Sequence, residues 1–367
     1  MGTFFEHFAS LPDPRIDRTK RHKLCDIVFI AIASVLSGCD DWNDMELYGK
    51  AKYDWLKNYL ELPHGIPSHD TFNRLFAALN PTAFQECFLS WVQSVAQLTE
   101  GTLVSIDGKR LCSSGVNANK SIVHLVSAWC EANHLMLAHC KVDDKSNEIT
   151  AIPTLLEVLE LKGCIVSIDA MGCQREIAAA ILDKEADYIL AVKNNQAFLL
   201  DDIKEAFDQS KEVRYDTKLD MGHGRIEKRS CRIIENAEWI CKAQKWKGMQ
   251  TLIEITSQRR DKKTLKQQSE VRYYISSLCS DAACFNSYIR EHWGIENSLH
   301  WTLDVVFSED QSRKRAGNAA ENFALVTRIA LNVLKNDKSV KLSMKNKRHK
   351  AGWDNDYLLH LLSNVKI

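Results

Sequence analysis

Apolar residues recur at helical spacing over residues 24–38 and 44–60, and the pattern breaks at Pro63, Gly65 and Pro67. It restarts with Ser68 as the N-cap of a helix whose apolar positions are Phe72, Leu75, Phe76 and Leu79, stopped by Asn80-Pro81. A further helix covers 82–97, so residues 1 to about 98 read as helical. Short helices around a tight break describe a helix-turn-helix DNA reader and a small helical bundle equally well. From residue 102 the period changes. Leu103-Val104-Ser105-Ile106 is a short buried strand ending at Asp107, and 121–130 and 134–142 form two more strands around Glu131-Ala132-Asn133-His134. A helix bearing Ile149, Ile152, Leu155, Leu156 and Leu159 follows, then a strand over 164–168 ending at Asp169, a helix around Ile177 and Ile181, and a strand over 188–192. Strand-like runs at 225–235, 249–257 and 270–278 precede a long helix over 282–304.

The succession β-β-β-α-β-α-β, with aspartates closing the first and fourth strands, matches the ribonuclease H architecture, an α/β fold whose mixed five-stranded sheet is flanked by helices. The segment from about 210 to 280 reads as a β-rich insertion before the last helix. Three units result: an N-terminal helical domain over 1–98, an α/β domain with its insertion over 102–330, and a basic C-terminal tail over 331–367.

Composition narrows the function. The 367 residues are 45% hydrophobic and 26% charged, which excludes a disordered or collagen-like chain. The longest apolar stretch, 27–36, is about half of the roughly 20 residues that a membrane helix needs. Residues 1–7 lack a basic region followed by an apolar run, so the expected location is the cytoplasm, with no membrane partner. The twelve cysteines contain no C-x-x-C spacing, which argues against zinc and for reduced, packed thiols.

Net charge is zero, yet its distribution is uneven. Residues 139–210 carry 7 basic and 14 acidic side chains, whereas 214–275 carry 15 and 8, and 335–350 add seven basic against the single acid Asp337. An acidic centre flanked by basic surfaces suits a metal-dependent enzyme acting on a polyanion. The alternative is solvated faces and a disordered tail.

Asp107 precedes Gly108-Lys109-Arg110 and Asp169 precedes Ala170-Met171-Gly172, so both carboxylates should emerge at strand ends, where open sheets place their sites. Either alone could be a turn residue or helix cap. A third acid, Glu296, falls on the stripe Phe285, Ile289, Trp293, Leu299, Leu303 of the long helix. A carboxylate buried there needs a partner, either a metal ion or a salt bridge to Arg290 or His300. His292 and His300 flank it at i−4 and i+4 and could meet phosphates or tune the acid.

Ile106-Asp107-Gly108-Lys109, Ile168-Asp169-Ala170-Met171-Gly172-Cys173-Gln174 and Arg290-Glu291-His292-Trp293-Gly294-Ile295-Glu296-Asn297-Ser298-Leu299-His300-Trp301 together resemble the DDE transposases of bacterial insertion sequences, most of all the H-repeat-associated proteins. The similarity runs over nearly the whole chain. It includes Leu11-Pro12-Asp13-Pro14-Arg15 and Pro67-Ser68-His69-Asp70-Thr71-Phe72, which resemble the family's N-terminal associated domain.

The resemblance implies that Asp107, Asp169 and Glu296 are the catalytic triad and hold two Mg²⁺ ions, with Mn²⁺ able to substitute. One ion would activate water and the other would stabilise the leaving 3′ oxygen, after which the freed 3′-OH would attack target DNA. No small-molecule cofactor and no covalent enzyme intermediate are then needed. The partners implied are element ends and target DNA, bound by a homodimer associated with the nucleoid. Many relatives carry Arg four residues before the Glu and Lys seven after it, positions held here by His292 and Leu303. Phosphate contacts are therefore expected from Lys109, Arg110, Arg290, His292 and His300 near the triad, and from Arg225, Lys228, Arg229, Arg259, Arg260, Lys262 and Lys263 in the insertion. The competing functions are a nuclease of the same fold without strand transfer and a DNA-binding protein that has lost catalysis. Asp304 and Glu309 are the next acids along the chain that could replace a triad member.

Overall fold

A computed structural model describes residues 6–111, 114, 122–142, 147–210, 213–222, 225–236, 245–262 and 264–363. Its centre is one nine-stranded sheet in the order β3-β2-β1-β4-β5-β9-β8-β7-β6. The first five strands are β1 (Leu103–Arg110), β2 (His124–Cys130), β3 (Leu135–Val142), β4 (Ile165–Ile168) and β5 (Asp187–Val192). β1, β2 and β3 form an antiparallel meander, while β1-β4 and β4-β5 pair in parallel. This is the ribonuclease H-like core that the strand succession implies.

The insertion departs from the sequence reading in two ways. It supplies four strands instead of three: β6 (Arg214–Gly222), β7 (Arg225–Ile234), β8 (Thr251–Asp261) and β9 (Gln267–Ser276). It also continues the core sheet, because β9 pairs antiparallel with β5 from Ile189↔Ser276 to Val192↔Tyr273. β6 escaped the pattern because it is an edge strand whose apolar Tyr215, Leu219 and Met221 stay exposed, leaving no buried run to detect.

The helices are α1 (Leu24–Leu36), α2 (Trp42–Ala51), α3 (Tyr53–Leu56), α4 (His69–Ala78), α5 (Pro81–Val95), α6 (Glu148–Glu157), α7 (Arg175–Asp183), α8 (Ala197–Gln209), α9 (Ala282–His292), α10 (Trp301–Val305), α11 (Ala319–Asn336), α12 (Met344–Trp353) and α13 (Asn355–Ser363). Among the described residues, no helix is long and apolar enough to cross a membrane. α1 is buried from Asp26 to Leu36, so it needs neighbours on every side. The far end of the chain supplies one of them. α11 packs against α1, α4, α5 and β3, and the buried residues of the N-terminal helices join those of the sheet in one continuous core. Polar pins fix the docking: Asn332 bonds the main-chain N–H and C=O of Met136 on β3 at 2.8 and 2.9 Å, and Asn322 donates to the carbonyls of Phe76 and Leu79. α4 and α5 are thus members of a packed helical layer.

Of residues 331–367, expected as a basic tail, those described, 331–363, begin inside α11 and continue as α12 and α13, which pack on α1 and α11. Two of the basic side chains are buried for a specific reason. Arg348 Nε donates to Val35 O at 3.0 Å and Lys347 Nζ to Leu334 O at 2.9 Å, satisfying last-turn carbonyls of α1 and α11.

Candidate active site between β1 and the end of β4

Parallel register and side-chain alternation bring the two aspartates together. β1 and β4 align Ser105 with Ser167 and Ile106 with Ile168, so Asp107 on β1 and Asp169, just past the end of β4, follow the last paired row of strands that typically lie about 4.8 Å apart. Leu103, Ser105 and Asp107 share one face with Ile165, Ser167 and Asp169, and Leu103 and Ile165 on that face pack against Ala282, Phe285 and Ile289 of α9. At the end of α9, His292 Nδ1 shares a hydrogen bond with Ser167 Oγ (2.9 Å), which in turn donates to Ser105 Oγ (3.2 Å). The helix is thereby fixed across the strands that carry the acids, and Glu296 follows one turn later.

The long helix expected over 282–304 is interrupted. A π-helical turn, Ile295–His300, separates α9 from α10. Its wider turn shifts the buried stripe to Ile295, Leu299 and Leu303, and Glu296, expected within the stripe, is exposed. Glu296 has no ion pair among the described residues, so neither Arg290 nor His300 neutralises it.

Asp107, Asp169 and Glu296 line one cavity of about 440 Å³, together with Lys193, Arg272 and Trp293. Burial pushes the Asp107 carboxyl up to about 7; the Gly108 N–H opposes this, and the charges of Asp169, Glu148 and Glu296 reinforce it. Glu148, in the first turn of α6, had no sequence signal because only the fold brings that turn to β1. Its Oε1 lies 2.9 Å from His124 Nε2 and presses against Gly108, where a side chain would collide with it. Burial, then the charge of Asp169, raises the Glu148 pKa.

Carboxylate oxygens are the donors that a hard divalent cation prefers, so the set fits Mg²⁺ or Mn²⁺ in kind. Among the described residues, however, no group of three or more His, Cys, Asp or Glu is close enough together to hold an ion as arranged. Asp107 Oδ1 accepts from Gly108 N–H at 2.9 Å and Asp169 Oδ1 from Met171 N–H at 3.1 Å, which leaves the second oxygen of each aspartate outside these local bonds.

The basic residues expected to meet phosphate separate into distinct roles. Burial draws His292 down to about 4 and His300 down to about 3, so both rings are neutral at pH 7 and carry no charge to a phosphate. His300 Nδ1 stands 3.6 Å from Asp107 Oδ2. Lys109 is buried and bonded to Asp304 at 2.5 Å, with Asp310 at 3.5 Å, so it braces β1 against α10. That pairing engages Asp304, and Glu309 is held by the buried Arg328; neither acid joins the cavity.

Arg229 is buried on the α9 face, where it bonds Asn286 Oδ1 and the Asn286 carbonyl, both at 2.7 Å. Arg259 and Arg290 approach Glu227 at 3.3 and 3.8 Å and line a second cavity of about 230 Å³ that shares Trp293, Arg272 and Glu296 with the first. Arg272 stacks on Trp293 at 4.4 Å, forming part of the wall common to both cavities. Lys228 and Arg260, of opposite parity to Arg229 and Arg259, are exposed on the other face of the sheet, while Arg110 and Lys262 are exposed elsewhere. Lys263 and the Arg225 side chain lie outside the described residues.

Two family models match the chain: one described as "DDE_Tnp_1-associated" over residues 5–92, and "Transposase DDE domain" over residues 98–333. Among curated relatives, "Putative transposase YncI" of Escherichia coli O157:H7 is 38% identical over 99% of this chain and 95% of its own length. "H repeat-associated putative transposase YhhI" of Escherichia coli strain K12 is 39% identical over 98% and 97%. Among solved structures, a piggyBac transposase synaptic complex with hairpin DNA aligns over 99% of this chain and 76% of that one, at 14% identity and a TM-score of 0.45.

Proposed function

The chain belongs to the DDE transposase family, and from that premise we propose that Asp107, Asp169 and Glu296 are its catalytic carboxylates, holding two Mg²⁺ ions for cleavage of insertion-sequence ends and strand transfer into target DNA. The observation that carries this reading is the shared cavity: acids separated by 62 and 127 residues line one space, and Asp107 feels the charges of the other two. When bound, such ions lower the pKa of the attacking water or 3′-OH and stabilise the leaving 3′ oxygen.

The chain's own residues prepare the site. The Gly108 and Met171 N–H groups fix one oxygen of each aspartate, and the Ser105-Ser167-His292 chain anchors the helix leading to Glu296. Lys193 brings positive charge into the acidic cavity, where a scissile phosphate would lie; Arg272 stands there paired with Glu270, and Arg259 and Arg290 share Glu227 in the adjoining cavity. Exposed Lys228, Arg260 and Arg110 supply backbone contacts farther out. A homodimer would present two such sites to paired element ends, in the cytoplasm and on the nucleoid.

The test uses the purified full chain with duplexes carrying the inverted repeats that flank its coding region. Nicking at the repeat ends and joined target products are expected in Mg²⁺ or Mn²⁺. Asp169→Asn should abolish cleavage while leaving the melting temperature unchanged, since it removes a ligand charge and keeps the shape. Equal cleavage by mutant and parent overturns the triad; nicking without joined products reduces the function to a nuclease.

A further inference from the structure

The π-helical turn that carries Glu296 leans on a single carboxylate from a different part of the fold. The β2–β3 pairing shifts register at Ala128/Trp129, where Leu137 of β3 is the extra residue, an irregularity of the kind found beside functional sites. Just beyond it, the fully buried Trp129 donates its indole N–H to Glu131 Oε2 at 2.6 Å. The other oxygen, Glu131 Oε1, accepts from Ser298 Oγ at 3.2 Å. A Cβ added at Gly294 would stand 2.6 Å from Glu131 Oε2. Glu131 therefore meets the positions two before and two after Glu296.

We propose that Glu131, at the β2–β3 hairpin, is a positioning residue that holds the 294–298 turn and so sets where the Glu296 carboxylate stands relative to Asp107 and Asp169. The proposal rests on the reading of Glu296 as a catalytic carboxylate. π turns are rare and occur mostly as single-turn bulges in α-helices, frequently at functional sites, and this one meets Glu131 at both Gly294 and Ser298. Glutamate suits this position because each of its two oxygens accepts from a different donor, whereas a glutamine offers one oxygen and would have to donate its NH2 to the Ser298 hydroxyl. The strut is itself braced. Lys335 of α11 lies over the Trp129 ring at 5.2 Å, and Asn133 Nδ2 ties the hairpin turn to Gln97 O at 2.9 Å.

The experiment measures DNA nicking by the full chain across a Mn²⁺ titration, with thermal melting in parallel, for Glu131→Ala, Glu131→Gln, Ser298→Ala, the Glu131→Ala/Ser298→Ala pair and Glu296→Gln. Residues that orient metal ligands typically cost 10- to 100-fold in metal affinity when removed. Glu131→Ala should accordingly raise the Mn²⁺ concentration for half-maximal nicking by about tenfold or more. Glu131→Gln and Ser298→Ala should shift it less, and the double variant should match Glu131→Ala alone. A Glu131→Ala protein that melts lower but follows the parent's Mn²⁺ curve overturns the proposal, because a purely structural role predicts that result. Should Glu131→Ala not fold, Ser298→Ala and Gly294→Ala decide, and unshifted curves for both overturn it. Cleavage by Glu296→Gln at the parent's rate overturns both the strut and the catalytic reading, whereas an inactive Glu296→Gln with an unshifted Glu131→Ala removes the strut alone.

Discussion

Replacing Glu309 by alanine should strand a guanidinium in the core. Arg328 on α11 is 0% exposed and Glu309 7%. Both Arg328 terminal nitrogens face the Glu309 carboxylate, one of them (Nη2) at 3.4 Å from Oε2, and Nη1 also donates to Ala324 O at 3.0 Å. Removing one member of such a pair costs about 3–5 kcal/mol, mostly because the remaining charge stays buried without its counter-ion. That is a large share of the roughly 5–15 kcal/mol that typically holds a fold together. Replacing both members, as Arg328→Met with Glu309→Leu, removes the stranded charge and should bring stability back to the parent's or above it. Urea unfolding of the parent, the Glu309→Ala and Arg328→Met single variants and the double replacement measures the difference. The reasoning fails if Glu309→Ala unfolds within about 1 kcal/mol of the parent, or if the double replacement is as unstable as Glu309→Ala.

Burial alone would raise the Asp337 pKa, but hydrogen bonds from Ser339 and Tyr357 and the Lys347 charge outweigh it and hold the value down to about 2. The folded value lies below the unfolded one, so this stabilisation is present above about pH 4 and is lost as pH falls from about 4 to about 2, an effect on the order of 2 kcal/mol. Asp337→Asn should lose that amount at pH 7 and flatten the acid limb of a stability profile; an unchanged limb would show that α12 and α13 do not depend on this carboxylate. Arg229→Met should destabilise the fold by about 1–3 kcal/mol, because it takes the donor from Asn286 Oδ1 inside the sheet–α9 interface, while Asn286 Nδ2 keeps its bond to Asp216. Lys228→Gln with Arg260→Gln should spare the melting temperature and lower the slope of log K against log salt by about 0.9 for each phosphate that is no longer neutralised. An unchanged slope would remove that face from the DNA path.

Local pattern determined the elements of the core. The buried runs at Leu103–Ile106 and Ile165–Ile168 are complete within a few residues, so both strands were readable before any partner was known; Asp169 does follow the end of its strand, but β1 runs on past Asp107 to Arg110, held by its pairing with β2. The motif around Glu296 was equally legible as a string of residues. Its geometry was not: residues 295–300 form a π turn that breaks the helix, and the turn meets Glu131 of the distant β2–β3 hairpin through Ser298. The basic insertion shows the same division. Arg229 and Lys228 are adjacent in sequence, and only the pairing of β7 with β8 and the docking of α9 made one a buried tie and left the other in solvent. The seven basic residues of 335–350 suggested a tail because composition reports charge and not the helix-end carbonyls waiting for Lys347 and Arg348. Periodicity and turn chemistry act over a few residues and are written locally; sheet edges, buried charge partners and the fourth carboxylate Glu148 depend on contacts between distant segments, which exist only once the chain has folded.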